Sequence, residues 1–277
     1  MGIKEVTELR KQGKLQEAYN LANADLEHDS SNIYNQRSIA WVYFEYLKIN
    51  AIAEKYEKFI ATLDKIVELK LPESEILFFD YASGQVVKLI FNMIKAEKEN
   101  IKKQTVDGFM FDSFSKTFVA NVDALFQRIR HFHVSKPSES YTYLLRAFHS
   151  ALKDFPQYMS FIEFWDLKNL QPADFKPNVL PNGTKTLSFG ESVVIAYLKL
   201  ILNQRFAETE SENRNIRKQK IEDILPTIES IDRQYPTLQF ISYYRAKLLI
   251  ELGDTENVLS AFLPFAIRKR NNFWVWD

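Results

Sequence analysis

The sequence contains no cysteine and only seven glycines in 277 residues. Without cysteine the chain has neither disulfide bonds nor thiolate chemistry, and its composition is compatible with a reducing compartment. The small number of glycines indicates a fold in which few turns depend on this residue.

The sequence also lacks an excess of charge of one sign and long apolar runs. Lys and Arg number 36 and Asp and Glu also number 36, so no net field attracts the whole chain to nucleic acid or an anionic membrane. The longest apolar candidate, residues 193–202, is interrupted by Lys199, and the first residues lack the apolar core of a signal peptide. We therefore expect a soluble, cytoplasmic protein with no membrane partner.

Aromatic residues are abundant, with 22 Phe, 13 Tyr and 4 Trp, and such rings fill the gaps between packed helices. Apolar residues recur at steps of three and four along most of the chain, whereas strand-like alternation is almost absent. The clearest series are Leu15, Ala18, Ala22 and Leu26, then Ala53, Tyr56, Ile60, Leu63 and Val67, and then Phe111, Phe114, Phe118, Val122, Leu125 and Ile129. This periodicity predicts an all-α protein.

One long stretch interrupts the helical pattern. Residues 169–192 contain three prolines and two glycines and are predicted to form a long loop. The polar stretch 208–220 is predicted to follow the end of a helix. Further on, Pro226 and Pro264 lie inside helical patterns, where the missing N–H predicts a kink or a restart.

Residues 13–32 have the pattern of a helical hairpin. Gly13 permits the left-handed conformation in which the chain reverses after a short helix. Ala18 and Ala22 are small enough to let a second helix approach closely. Residues 29–32, Asp-Ser-Ser-Asn, end the hairpin and offer a cap for a helix that begins at Ile33.

Together with Ile39, Ala40 and Tyr43, this hairpin resembles the tetratricopeptide repeat family, whose 34-residue unit is a pair of antiparallel helices. A second match covers residues 243–272, and its corresponding positions are Ala246, Leu249, Gly253 and Asp254. The sequence departs from the family pattern at Asp25, Ser30 and Val258. As a whole the chain is similar to bacterial tetratricopeptide-like proteins, and that likeness implies a fold but no activity.

The resemblance implies one right-handed α-α superhelix over residues 1–277, built from roughly twelve helices. Hairpins are expected at 1–70 and 193–277, with irregular longer helices at 71–168 and the loop at 169–192. The last residues, FWVWD at 273–277, look like the first turn of another helix. We therefore expect the natural chain to continue beyond Asp277, or the two Trp rings to dock on the preceding hairpin.

The superhelix implies a scaffold or adaptor that binds another protein, a peptide or another domain of the same longer chain on its concave face. In this family the first helix of each hairpin lines that face. The candidate binding residues are Arg37, Trp41, Tyr243, Tyr244, Arg245 and Lys247. Of these, Trp41, Tyr243 and Tyr244 are the aromatic residues expected to be exposed.

A local basic patch supports an alternative, a regulatory protein that binds nucleic acid. The patch lies within residues 128–153, and its members are Arg128, Arg130, His131, His133, Lys136 and Arg146. Cations next to aromatic rings suit a phosphate backbone.

No pattern for catalysis stands out. His131, His133 and His149 lack the spacing of a metal site, and residues 183–186 lack the glycines of a phosphate-binding loop. Ser188 and Ser192 are expected to be helix caps rather than nucleophiles. We expect a non-enzymatic protein with no cofactor, no metal and no catalytic residue.

Overall fold

The computed structural model describes residues 2–104, 113–177, 179–181, 183 and 186–270, with only the backbone at residues 103 and 104. Within these residues the chain forms twelve α-helices and no β-strand, which confirms the predicted all-α class. The first seven are α1 (Gly2–Lys11), α2 (Leu15–His28), α3 (Ile33–Asn50), α4 (Tyr56–Glu68), α5 (Ile76–Gln104), α6 (Lys116–Ile129) and α7 (Glu139–Leu152). The others are α8 (Gln157–Trp165), α9 (Phe189–Asn203), α10 (Glu210–Gln234), α11 (Ile241–Leu252) and α12 (Thr255–Arg268).

The helices group into two compact units, Met1–Leu152 with α1–α7 and Lys153–Asp277 with α8–α12. The single domain predicted over residues 1–277 stays a prediction. The segment at 273–277, for which a further helical turn or docked rings were expected, lies outside the described residues, as does Phe111.

The first hairpin of the chain forms as predicted. Gly13 has a φ of +76° and reverses the chain between α1 and α2. Ala18 and Ala22 have no exposed surface, so α2 packs closely against its neighbours. Asn32 then caps α3 by accepting a hydrogen bond from the backbone N–H of Tyr34 at 2.9 Å.

Three helices of the first unit are connected through α3, and we call this series the row α1–α3–α5. α3 contacts both α1 and α5, while α2 and α4 also pack against α3. α4 contacts α6, and α7 packs against α5 and α6. The row α1–α3–α5 therefore consists of alternate helices in the sequence, which is the order that consecutive helical hairpins produce.

Asp25, where the family pattern has a small residue, lies against the first residue of α1. A Cβ atom placed on Gly2 would be 2.1 Å from Oδ2 of Asp25. The glycine therefore provides the space that the larger side chain on α2 takes up.

The hairpin of α11 and α12 repeats the geometry of the first. Gly253 has a φ of +80° and ends α11, and the Asp254 side chain caps α12 by accepting from the backbone N–H of Asn257 at 3.3 Å. α11 also contacts α9 and α10, so it lies among three other helices of its unit.

Residues 208–220 follow the end of a helix, α9, as predicted, and from Glu210 onward the stretch is itself helical and forms most of the first half of α10. Thr209 caps the helix, with its hydroxyl accepting from the backbone N–H of Glu212 at 3.4 Å. The stretch is polar because only a narrow side of the helix is buried, chiefly at Ile221, Ile228 and Ile231. α10 also runs through Pro226 without a restart, as α12 does through Pro264.

One helix boundary and one predicted cap differ from what the sequence pattern indicated. The helix predicted from Phe111 begins at Lys116, where the Ser115 hydroxyl accepts from the backbone N–H of Phe118 at 3.2 Å. Ser188 caps α9 as expected, whereas Ser192 lies inside that helix and is not a cap. Between α8 and α9 the described residues include two short 3₁₀ turns, Leu167–Asn169 and Pro172–Phe175.

Candidate protein-interaction surface

An aromatic surface lies on α3 and α5 in the first unit. Trp41 is its centre, with ring centroids at 5.3 Å from Phe44 and 5.9 Å from Tyr81. Leu77 lies one helical turn before Tyr81, so both side chains are on one side of α5, and both are exposed. We call Tyr34, Trp41, Phe44, Leu77 and Tyr81 the aromatic face.

The inner side of Trp41 is supported by the core. Its ring lies edge-on to the buried Phe78 at 5.4 Å, and Phe44, on the next turn of α3, is also buried. These contacts hold Trp41 half-buried, with less exposed surface than the sequence predicted. A ring supported in this way presents a rigid edge at little entropic cost.

Charged side chains flank the aromatic face on the α1 side. The Arg10 guanidinium lies 5.4 Å from the Trp41 ring centroid and 3.8 Å from a carboxylate oxygen of Glu45. Burial lowers the pKa of Arg10, and the Glu45 carboxylate opposes that change. Lys48 also contacts Glu45, at 2.7 Å. Both signs of charge are therefore present beside the rings.

Arg37, a predicted contact residue, forms an internal ion pair. Its Nε lies 3.0 Å and 2.9 Å from the two carboxylate oxygens of Glu75, and its Nη2 also donates to Glu75. The hydrogen bonds that Arg37 donates to the Glu75 carboxylate raise the pKa of Arg37. Because Glu75 is buried just before α5, the pair joins α3 to the start of α5 and positions the aromatic face.

The four predicted contact residues in the second unit lie on α11. The predicted exposure of Tyr244 is wrong, because only 9% of its surface is accessible. Arg245 is paired with Asp232 of α10 at 2.9 Å, and Tyr243 packs on the Phe265 ring at 4.9 Å. Lys247 alone of the four is exposed, 4.8 Å above the Tyr243 ring. The surrounding helices cover most of α11, which periodicity does not reveal.

The predicted basic patch is partly neutralised. Arg128 binds the Asp64 carboxylate of α4 at 2.8 Å and 3.2 Å, and Arg146 is half-buried. The imidazole of His133 lies 3.6 Å from Glu73. Four members of the patch stay exposed in the segment after α6, namely Arg130, His131, His133 and Lys136.

The second unit contains an open groove that the sequence did not reveal as a site. It has a volume of 590 Å³ and lies between the two 3₁₀ turns and α10. Its apolar walls are Leu167, Leu170, Pro172, Phe175, Pro226, Ile231 and Tyr235, and its polar lining is Lys168, Asp223, Thr227, Ser230 and Gln234. In the sequence, Pro172 and Pro226 could have indicated this groove, because each interrupts regular backbone hydrogen bonding.

Gly190 positions one wall of this groove. A Cβ atom at Gly190 would lie 2.9 Å from Cε1 of Phe175 and 3.2 Å from the carbonyl oxygen of Asp174. The absence of a side chain lets the turn at Pro172–Phe175 pack against α9, and Phe175 then stacks on Tyr235 at 4.2 Å.

Comparison with known proteins gives one short match. The model of the family described as "Domain of unknown function (DUF7017)" matches residues 239–277, which include α11 and α12. No curated protein and no solved structure matches the chain.

Two further properties concern the described residues alone. No helix among them combines the length and the apolar character that crossing a bilayer requires. Nor do these residues bring together three or more His, Asp or Glu side chains in an arrangement that could hold a metal ion.

Proposed function

We propose that the protein is a non-enzymatic scaffold, a tetratricopeptide-like right-handed superhelix that binds another protein or peptide on its concave face. The row α1–α3–α5 supports the proposal, because these are the first helices of consecutive hairpins. Stacked hairpins leave an extended surface that fits a peptide or a helix better than a small substrate.

The observation that carries this proposal is the aromatic face on that row. Tyr34, Leu77 and Tyr81 are exposed around the supported Trp41 ring, and Arg10 lies against it. Aromatic residues and arginine are enriched at the centres of protein interfaces, where rigid rings bury a large area at small entropic cost. The partner that fits is a protein segment with apolar side chains and at least one charge.

Site-specific crosslinking tests the position of the surface. A photoreactive phenylalanine analogue replaces Tyr81 in the full chain, and covalent adducts are identified by mass spectrometry. We expect a discrete partner to be trapped at this position. Tyr143 is the matched control, because it is exposed to 55% on α7 compared with 53% for Tyr81.

A binding measurement with the purified partner then decides the proposal. We expect Leu77→Glu to weaken binding at least tenfold, because it places a charge in the middle of an apolar contact, while Tyr143→Ala leaves the affinity unchanged. Equal affinity of Leu77→Glu and the wild type would rule out the aromatic face as the binding site.

The alternative, nucleic-acid binding, is supported by the exposed cations Arg130 and Lys136. It requires an affinity for DNA or RNA that falls steeply with salt. The double variant Arg130→Glu and Lys136→Glu would reduce both that affinity and its salt dependence. Salt-independent or undetectable binding excludes this function.

A further inference from the structure

The outer side of α12 carries an apolar stripe that the described residues leave exposed. Leu259, Leu263 and Ile267 follow one another at intervals of four residues, and all three are exposed. Four residues along an α-helix correspond to a rotation of about 40° around its axis, so the three side chains form one band. We call these residues the α12 stripe.

The hairpin geometry does not itself require an apolar band at this place. α2 has the same length as α12, 14 residues, and likewise follows a glycine with positive φ. Counted from the start of each helix, Tyr19, Asn23 and Glu27 of α2 correspond to Leu259, Leu263 and Ile267 of α12. Tyr19 packs on Tyr43 of α3, whereas the other two positions are polar in α2. In α2 the two polar side chains hydrogen-bond to each other at 2.8 Å. The apolar residues of α12 therefore point to a contact beyond the hairpin.

Opposite charges lie at equal sequence distances from the centre of the α12 stripe, one on the first turn of α12 and one two residues after its end. Glu256 lies seven residues before Leu263, Arg270 lies seven residues after it, and both are exposed. Leu259 and Ile267 lie four residues on either side. Such an arrangement is self-complementary about a two-fold axis through Leu263.

We propose that the α12 stripe binds the α12 stripe of a second copy of this chain, with the two helices antiparallel. Leu263 then packs on Leu263 of the second copy, and Leu259 packs on Ile267. Each Glu256 faces an Arg270, so two ion pairs close the ends of the contact. Antiparallel pairing places unlike charges together, whereas parallel pairing of the same stripe would place like charges together.

The contact is expected to be weak and reversible. Three apolar side chains from each copy form an interface below the standard size of stable complexes, so the dimer should appear only as the protein concentration rises. The exposed ion pairs contribute mainly to orientation, and their effect is larger at low salt. This surface is separate from the aromatic face, so the proposal does not depend on the proposed function.

Sedimentation velocity of the full chain at low salt, from about 1 µM to about 500 µM, measures the pairing. We expect the wild type to change from monomer to dimer across this range. Ile267→Asp should shift the midpoint at least tenfold toward higher concentration. Ile250→Asp on α11 is the matched control, because Ile250 is exposed to 59% and Ile267 to 57%, and it should dimerise like the wild type.

Charge reversal distinguishes a second copy from any other occupant. Glu256→Arg and Arg270→Glu should each weaken the dimer, and the double variant should restore it, because both end pairs are re-formed with the signs exchanged. Circular dichroism and the unfolding midpoint establish that every variant is folded. A wild type that stays monomeric over the whole range would overturn the proposal. The α12 stripe would then bind another segment of the chain or a different partner. Dimerisation that Ile267→Asp does not affect would overturn it as well.

Discussion

The guanidinium of Arg37 binds both carboxylate oxygens of Glu75, a residue 38 positions further along the chain. The contact joins the helix that carries Trp41 to the start of the helix that carries Tyr81. Arg37, a predicted binding residue, therefore also holds together the two helices that carry the aromatic face.

Removal of the Arg37 side chain should destabilise the first unit. In Arg37→Leu the buried Glu75 carboxylate loses its partner, and we expect the free energy of unfolding to fall by about 1–3 kcal/mol, less than for a fully buried pair because Arg37 reaches solvent. Urea unfolding followed by circular dichroism measures the change. The double variant with Glu75→Leu should recover most of the loss, and failure to recover would show that the pair is not the cause.

A methyl group at Gly190 should disturb the groove of the second unit. In Gly190→Ala the new Cβ meets the Phe175 ring and the Asp174 carbonyl oxygen, so we expect a loss of about 1–3 kcal/mol. Adding Phe175→Leu should restore part of it, because the smaller side chain frees the space. The thermal unfolding midpoints of the wild type, the single variant and the double variant measure both effects. An unchanged midpoint in Gly190→Ala would contradict the close packing of the Pro172–Phe175 turn on α9.

Glycine-to-alanine substitution should have opposite effects at two positions. Gly84 lies inside α5 with open space around its Cα, so Gly84→Ala should stabilise the protein by about 0.5–1 kcal/mol. Gly253 has a φ of +80°, and alanine there should cost about 1 kcal/mol. Urea unfolding measures the change in the free energy of unfolding for each variant. Stabilisation by Gly253→Ala would argue against the left-handed turn.

Glu191 should make stability depend on pH. Its carboxyl group is buried and accepts a hydrogen bond from the backbone N–H of Phe240 at 2.6 Å. Burial raises the pKa of Glu191, and the backbone hydrogen bonds oppose the change only in part. A raised pKa means that this group stabilises the fold fully below the pKa of the unfolded chain, about 4.3, and that the contribution is lost as the pH rises through the folded value.

The Glu191→Gln variant isolates this effect, because an amide does not titrate. We expect the stability of the wild type relative to the variant to fall as the pH rises from about 4 through the raised folded-state pKa of Glu191. Denaturant unfolding at several pH values measures the difference. A constant difference over that range would show that Glu191 has the same pKa in both states.

Signals within a few residues predicted much of the local structure. Gly13, Asn32 and Gly253 each act on the turn in which they lie, and all three have the predicted role. The polar run at 208–220 carried no clear helical signal, because the apolar positions that anchor α10 come later, at Ile221 and beyond. A helix with one narrow buried side resembles a loop when only its first half is considered.

The candidate sites were less predictable, because their ion pairs and ring contacts join residues that are far apart in the sequence. Arg245 pairs with Asp232 on a neighbouring helix, and Arg128 pairs with Asp64, which is 64 residues away in the sequence. No local pattern encodes either pair, although each changes which cations are available to a ligand. The aromatic face likewise exists only because α3 and α5 are neighbours.

By itself the sequence determined an all-α chain and the turns that begin and end its hairpins, because helix periodicity and capping depend on residues one or two turns apart. The tertiary structure alone decided which sides of those helices are covered. Burial and ion pairing depend on neighbours distant in the chain, and so Tyr244 is buried while Leu259 on the next helix is exposed.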